Sequence, residues 1–311
     1  MICGYLHNFI DPAYVTPRLS LSQVGGAWDE VIVAFADVST NGIVSISPGL
    51  IASQRSELIN EITLLQARGT RVAFSIGGAD AGLHLDDRSH ANFVGSILDL
   101  LDELPFDGID FNLESRCDLT NSVNARCIRD AVSKIAGERN VRVIFTPEWP
   151  AVQGGFIRHN GYWGSQLWIL NELRDVIDSV RVQYYNNCDM ATPYTKRDSS
   201  AGSAAQLVYG CRMLLEGFPI DSGGWFKGLK PHQIGLAVSA SRQAVCSGYS
   251  DSDEVHSAVN SIRNLFTAAD SSTNEIDVAV WSINWDAAEH ARFSTQLTSG
   301  WHNGAELPPA D

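Results

Sequence analysis

Eight short β-rich runs, most of them separated by helical patterns, spread over 311 residues with no second composition regime before the end. Together these observations predict an α/β chain folded as a single (β/α)8 TIM barrel without a large inserted subdomain. Barrels of this class fill about 250 residues unaided. The length therefore suits one domain over residues 1–298, with 299–311 as a tail or linker remnant.

The runs are Ile2–Leu6, Val31–Phe35, Arg71–Ile76, Gly108–Glu114, Val141–Thr146, Val180–Tyr185, Gln233–Val238 and Val278–Ile283. Several are almost continuously apolar rather than alternating, as expected of parallel strands covered on both faces. After the second run, Ser56–Arg68 places Leu58, Ile62 and Leu65 on one helical face and ends at Gly69, a C-terminal cap signal. Ala91–Leu104 carries Phe93, Val94, Ile97, Leu98 and Leu101 in the same manner and stops before Pro105. Asn121–Ala136 carries Val123, Ile128, Val132 and Ile135 and ends at Gly137. The stretch between the seventh and eighth runs, about forty residues, holds one helix and its loops at ordinary connection lengths. From Thr298 onward, Gly300, Pro308 and Pro309 read as a frayed end or the start of a linker.

Acidic residues number 36 and basic ones 22, for a formal net charge of −14, and 44% of residues are hydrophobic. That apolar content supports a substantial core and excludes wholesale disorder. Acidic excess without a Lys/Arg cluster argues against nucleic acid or an anionic membrane as partner, and a neutral carbohydrate or small molecule fits better. No apolar run approaches the roughly 20 residues that span a bilayer. Met1 runs straight into Ile-Cys-Gly-Tyr-Leu. The expectation is a cytoplasmic protein if Met1 is the native start, and a secreted one if a leader has been removed. The six cysteines form no CxxC pair, which argues against zinc. Cys3 reads as a small buried residue of the first strand; Cys117 and Cys127 either bridge in an oxidising compartment or fill the core.

Active sites of such barrels lie at the C-terminal ends of the strands. The fourth run is Asp107-Gly108-Ile109-Asp110-Phe111-Asn112-Leu113-Glu114. Alternation puts Asp110, Asn112 and Glu114 on one face and Ile109, Phe111 and Leu113 on the other. Three polar groups in a row facing a barrel interior are costly to bury without a purpose. They are either a satisfied network filling the barrel or the centre of a site, and a carboxylic acid at the strand mouth favours the site.

This run resembles the DGxDxDxE signature of glycoside hydrolase family 18, the chitinase family, with Asn112 at its third acidic position. Ser75-Ile76-Gly77-Gly78 resembles that family's SxGG motif. Gln183-Tyr184-Tyr185-Asn186 and Trp281-Ser282-Ile283-Asn284-Trp285-Asp286 are similar to its sixth and eighth strand ends. Gly4-Tyr5-Leu6-His7-Asn8-Phe9, Pro147-Glu148 and Val152-Gln153-Gly154-Gly155 extend the resemblance, which covers nearly the whole chain and is greatest to the short catalytic domains of secreted bacterial chitinases.

The resemblance implies hydrolysis of β-1,4 bonds between N-acetylglucosamine units of chitin or its oligosaccharides, with no cofactor and no metal. The substrate's own acetamido oxygen would act as nucleophile, the substrate-assisted exception to the two-carboxylate scheme. Glu114 would be the acid and then the base, Tyr185 would hold the acetamido oxygen in line, and Asp110 would orient residue 112. Trp281 would floor the cleaved subsite, with Tyr5, Gln183, Asn186 and Glu148 around the pocket. As alternatives, Trp281 and Tyr5 are ordinary core aromatics and Glu148 stands behind the pocket. Ser75, Gly77 and Gly78 read as shaping the backbone beside the fourth strand, Asp107 as structural and Tyr184 as packing. The segment His84–His90 reads as a solvated loop rather than a metal site. An Asn at 112 accepts a hydrogen bond but carries no charge and takes up no proton, which implies attenuated turnover. The alternatives are a chitin-binding, lectin-like protein, or an endo-β-N-acetylglucosaminidase or transglycosylase on another N-acetylglucosamine-containing substrate.

Overall fold

All eight expected runs are strands of one parallel sheet closed on itself. The computed structural model describes residues 1–10, 16–270 and 275–301. The strands are β1 (Ile2–His7), β2 (Glu30–Val38), β3 (Arg71–Gly77), β4 (Gly108–Asn112), β5 (Arg142–Phe145), β6 (Ser179–Gln183), β7 (Ile234–Ser239) and β8 (Asp277–Trp281). Each pairs in parallel with its sequence neighbours, and β1 closes the ring against β8 on one side and β2 on the other. Around the barrel lie α1 (Arg55–Ala67), α2 (His90–Glu103), α3 (Ser122–Glu138), α4 (Leu167–Glu172), α5 (Ala204–Glu216), α6 (Ser252–Ala269), α7 (Ile283–Ala288) and α8 (Arg292–Trp301). Among the described residues, the 3-10 turn Arg242–Ala244 and one α-helix, α6, join β7 to β8, with no inserted subdomain.

Some boundaries differ from expectation. Helix α3 runs through Gly137 to Glu138 and stops where Arg139 turns extended; Gly137 is tolerated inside the last turn instead of capping it. Gly69 does take the left-handed conformation (φ +85°) just past α1. Helix α8 incorporates residues 299–301 of the expected tail, and 302–311 lie outside the described residues. The short antiparallel strand Val44–Ser45 on β2 and the hairpin Phe218–Pro219/Trp225–Phe226 lack an apolar run of strand length, so neither stood out in the sequence.

All six cysteines are free thiols. Cys117 and Cys127 are buried, and the Cys117 thiol donates to Leu83 O at 3.2 Å, so the core-filling alternative holds. In the 84–90 segment, Asp86 Oδ1 accepts the Ser89 and Arg88 amides at 2.8 and 3.0 Å, and Asp87 pairs with Arg126 at 2.9 Å. These contacts anchor the entry to α2.

Small or apolar inward residues (Cys3, Ile32, Ala34, Ala73, Ile144, Ala237 and Ala279) line the barrel interior and leave room for an ionic floor. The Arg181 guanidinium, wholly buried, lies 2.6 Å from Glu30 and 2.8 Å from Asp277. Arg142 reaches the same two carboxylates at 2.5 and 3.2 Å. Glu30, Arg142 and Asp277 each begin their strand, so this network closes the end of the barrel opposite the strand C-termini. Removing one member leaves an uncompensated buried charge, which typically costs about 3–5 kcal/mol. Arg181→Ala is therefore expected to lower the free energy of unfolding by about that amount. Urea unfolding at neutral pH checks it, and a loss below about 1 kcal/mol, as for an exposed pair, would contradict the network's role.

Candidate active site

The side chains of β4 face the barrel axis in the alternation expected. Asp110 is fully buried. Its Oδ2 accepts Ser75 Oγ–H at 2.6 Å and its Oδ1 accepts Thr146 Oγ1–H at 2.7 Å; the Tyr5 hydroxyl lies 2.8 Å from Thr146 Oγ1 and 3.1 Å from Asp110 Oδ2. Hydroxyls from β1, β3 and the end of β5 thus surround the carboxyl, and burial pushes its proton affinity up. Orienting residue 112, the role expected of Asp110, falls to Gln183. The Gln183 amide donates to Asn112 Oδ1 at 2.9 Å, to Glu114 Oε1 at 3.2 Å and to Thr146 O at 3.2 Å. One side chain from the end of β6 therefore ties residue 112 to the carboxyl beyond it.

The neighbouring turn explains why two glycines follow one another at the end of β3. A Cβ on Gly77 (φ +117°) would sit 2.0 Å from Asn112 O, and one on Gly78 (φ +90°) 2.6 Å from the Phe35 ring. The Gly78 amide donates to Asn112 O at 2.8 Å, so the turn clamps the end of β4. Gly77 and Gly78 shape the backbone as expected; Ser75 does more, through its bond to Asp110.

Glu114 lies two residues past the end of β4, half-buried at the strand mouth. Burial pushes its carboxyl up to about 7, and the nearby Glu148 charge adds to the effect, while the Gln183 and Asn112 amides and Asp110 act more weakly. A carboxylic acid that holds its proton near neutrality is the property a general acid needs. Glu148 follows β5; its Oε2 accepts the Ser115 amide at 3.1 Å and the Tyr162 hydroxyl. Tyr185 is buried just past β6, and burial plus the Glu114, Glu148 and Asp110 charges push its phenol well up, so it faces the pocket as a neutral hydroxyl.

One wall is aromatic. Trp281, at the end of β8, is partly exposed and lies 5.7 Å from Tyr5, 4.9 Å from His7, 6.3 Å from Phe9 and 6.0 Å from Phe35, measured between ring centroids. The Phe9 and Phe35 rings lie within 14° and 23° of its plane. Stacked apolar faces of this kind suit the apolar side of a sugar ring. Asn186 is separate from this group. It is exposed with φ +55°, and its Oδ1 accepts the Cys246 amide at 2.8 Å, which fixes the turn after β6 to the loop after β7. Tyr184 points out of the barrel and accepts the Gln153 amide at 3.0 Å, as packing requires.

The structure thus gathers Tyr5, Asp110, Asn112, Glu114, Glu148, Gln183, Tyr185 and Trp281 at one end of the barrel. Sequence reasoning missed Thr146 and Tyr162, and it passed over Phe35 and the ring of His7. Thr146 ends the fifth run and was available as a signal; Tyr162 sits in a loop without periodicity. Among the described residues, no group of three or more His, Cys, Asp or Glu is arranged to hold a metal ion, and no helix is long and apolar enough to cross a membrane.

Known proteins resemble this chain in sequence and in fold. The model of glycosyl hydrolases family 18 matches residues 13–298. Chitinase Chi52 of Paenibacillus xylanexedens is 29% identical across 94% of this chain, and chitinase D of Niallia circulans is 28% identical across the same share. The chain spans 60% of each of those two proteins. The crystal structure of a family GH18 chitinase from Chromobacterium violaceum superposes with a TM-score of 0.86 at 35% identity, over 96% of this chain and 82% of that one. The xylanase and α-amylase inhibitor protein XAIP-II from Scadoxus multiflorus shares the fold at a TM-score of 0.60 and 16% identity, covering 96% and 97% of the two chains. The barrel alone therefore does not decide between turnover and inhibition. The family match over nearly the whole barrel decides the family: the chain belongs to glycosyl hydrolase family 18.

Proposed function

We propose that the protein hydrolyses β-1,4 bonds between N-acetylglucosamine units of chitin or chitooligosaccharides, with retention, using the substrate's acetamido oxygen as nucleophile. The observation that carries this reading is the distribution of carboxyl groups around Glu114. A retaining enzyme of the ordinary kind needs a second, free carboxylate as nucleophile. Asp110 accepts hydroxyls from Ser75 and Thr146 and is buried beneath the strand ends. Glu148 is directed at Ser115 and Tyr162, and residue 112 is an amide, a poor nucleophile, which supports a nucleophile supplied by the sugar. Glu114 then protonates the leaving oxygen and afterwards deprotonates the attacking water. The Tyr185 hydroxyl donates to the acetamido oxygen, Asn112 accepts from the acetamido N–H, and the Trp281 face supports the ring. Because Asn112 brings no charge to the cyclic cationic intermediate, turnover is attenuated, by on the order of a hundredfold to a thousandfold. Incubating the protein with chitin oligomers, and measuring binding and product release separately, tests the reading: binding without release would make it a lectin-like protein.

Cleavage is expected to be internal. Among its described residues, the β7–β8 connection holds a short 3-10 turn and one α-helix and no inserted subdomain, which favours a polymer that binds mid-chain and leaves readily. The viscosity of a soluble chitin derivative should fall early relative to the appearance of reducing ends. A parallel course of the two would count against internal cleavage.

A further inference from the structure

We propose that Glu148, rather than residue 112, supplies the negative charge that keeps Glu114 protonated, and that Tyr162 and the Ser115 amide hold Glu148 in place for this role. The proposal rests on Glu114 being the acid. It starts from a chemical gap: an amide at 112 cannot repel a charge on Glu114, and its own N–H donors favour the ionised form. Burial is the largest influence opposing ionisation of Glu114, and a neighbouring negative charge adds to it.

Glu148 is placed to do so. Its Oε2 accepts the amide of Ser115, the residue after Glu114, at 3.1 Å, which holds the two carboxyl groups on adjoining strand ends. The same oxygen accepts the Tyr162 hydroxyl. Two donors from different loops therefore converge on one oxygen and fix where the Glu148 carboxyl sits. Its backbone also bridges to Gln183, whose amide reaches Glu114, so Glu148, Gln183 and Glu114 are linked through both main chain and side chain. The remaining charged or titratable groups facing Glu114 are few. From β4 there is Asp110, surrounded by hydroxyls and deeper in the barrel; from the end of β6, the neutral Tyr185 phenol; from the loop after β5, Tyr162 itself. Arg116, two residues on, turns outward to Asp80 at 3.6 Å. Of the negative charges near Glu114, that of Glu148 raises its proton affinity more than that of Asp110 does.

The Tyr162 bond gives the arrangement a testable asymmetry. It spreads part of the Glu148 charge onto a phenol, so losing it leaves Glu148 more strongly felt at Glu114. Losing the Glu148 charge does the opposite. A purely structural role would loosen the site in both variants and would not move the Glu114 titration in opposite directions.

The experiment is a carbon-13 NMR titration of the side-chain carboxyls of the intact, ligand-free chain, with Glu114→Gln used to assign the Glu114 resonance. Glu148→Gln, which retains an oxygen for the Ser115 and Tyr162 donors, is expected to lower the Glu114 midpoint by about one pH unit. Tyr162→Phe should raise that midpoint, a fall there counting against the proposal, and Glu148→Asp should stay nearer the parent than Glu148→Gln. A Glu114 midpoint that is the same in Glu148→Gln and the parent overturns the proposal. The identification of Glu114 as the acid fails separately, if Glu114→Gln still hydrolyses chitin oligomers, since the titration needs no turnover.

Discussion

Glu114→Gln is expected to abolish hydrolysis of chitin oligomers while oligosaccharide affinity stays within about tenfold of the parent. Binding rests on the Trp281 wall and on hydrogen bonds that an amide at 114 can keep, since Gln183 still finds an oxygen there. The proton for the leaving oxygen has no second source. Asp110 is closed in by Ser75, Thr146 and Tyr5, and Glu148 is occupied by two donors. Single-turnover kinetics on a short oligomer, beside calorimetric titration with the same ligand, separate the two quantities. Residual turnover above about a hundredth of the parent rate, a barrier increase of less than about 2.7 kcal/mol, would mean that the acid lies elsewhere.

Asn112→Asp should raise the rate of chitin-oligomer hydrolysis by about a hundredfold or more, with a much smaller change in affinity. Position 112 is prepared for a carboxylate. Gln183 already donates to its Oδ1 at 2.9 Å, and the opposite side of the side chain adjoins Glu114. Placed against the acetamido N–H, a carboxylate there strengthens its interaction as positive charge develops, so the gain belongs in the turnover number. Sharing of a proton at rest between this introduced carboxylate and Asp110 competes with the hydroxyl bonds that both Asp110 oxygens accept in the parent. The sign of the pH effect is clear without that step. The Asn112 amide now favours the ionised form of Glu114, and a like charge in its place opposes ionisation, so Glu114 keeps its proton to higher pH. The alkaline limb of activity, set in the parent by an acid at about 7, should move upward. Parallel kinetic and pH profiles of the two proteins check both expectations. A variant no faster than the parent would show that Asn112 is not a weakened catalytic residue.

The candidate site was legible because its polar residues are local in sequence. Asp110, Asn112 and Glu114 alternate with large apolar residues along a single strand, and period-two alternation alone brings them to one face. The barrel was legible for a related reason: buried parallel strands leave continuous apolar runs such as Val31–Phe35. The ionic floor was not. Glu30 and Asp277 stand one residue before their apolar runs, and nothing local shows that they turn inward to meet Arg181. The bonds that support Glu114 were hidden in the same way, although Gln183 itself was named as a pocket residue. Gln183 and Tyr162 matter through bonds to residues far from them along the chain or in another loop, which no spacing encodes. Gly137 was misleading because a glycine near a helix end is only a permissive signal, and the backbone decides where the helix stops.

Substrate assistance is the central claim, and the identity of newly formed chain ends tests it most directly. Partially deacetylated chitin presents both N-acetylglucosamine and glucosamine at the bond to be cleaved, and only the acetylated unit carries the internal nucleophile. Digestion followed by sequencing of the new reducing ends should find N-acetylglucosamine alone at that position. Glucosamine among the new reducing ends, in proportion to its share of the polymer, would contradict the account and require a protein nucleophile that the arrangement of Asp110, Asn112 and Glu148 does not provide.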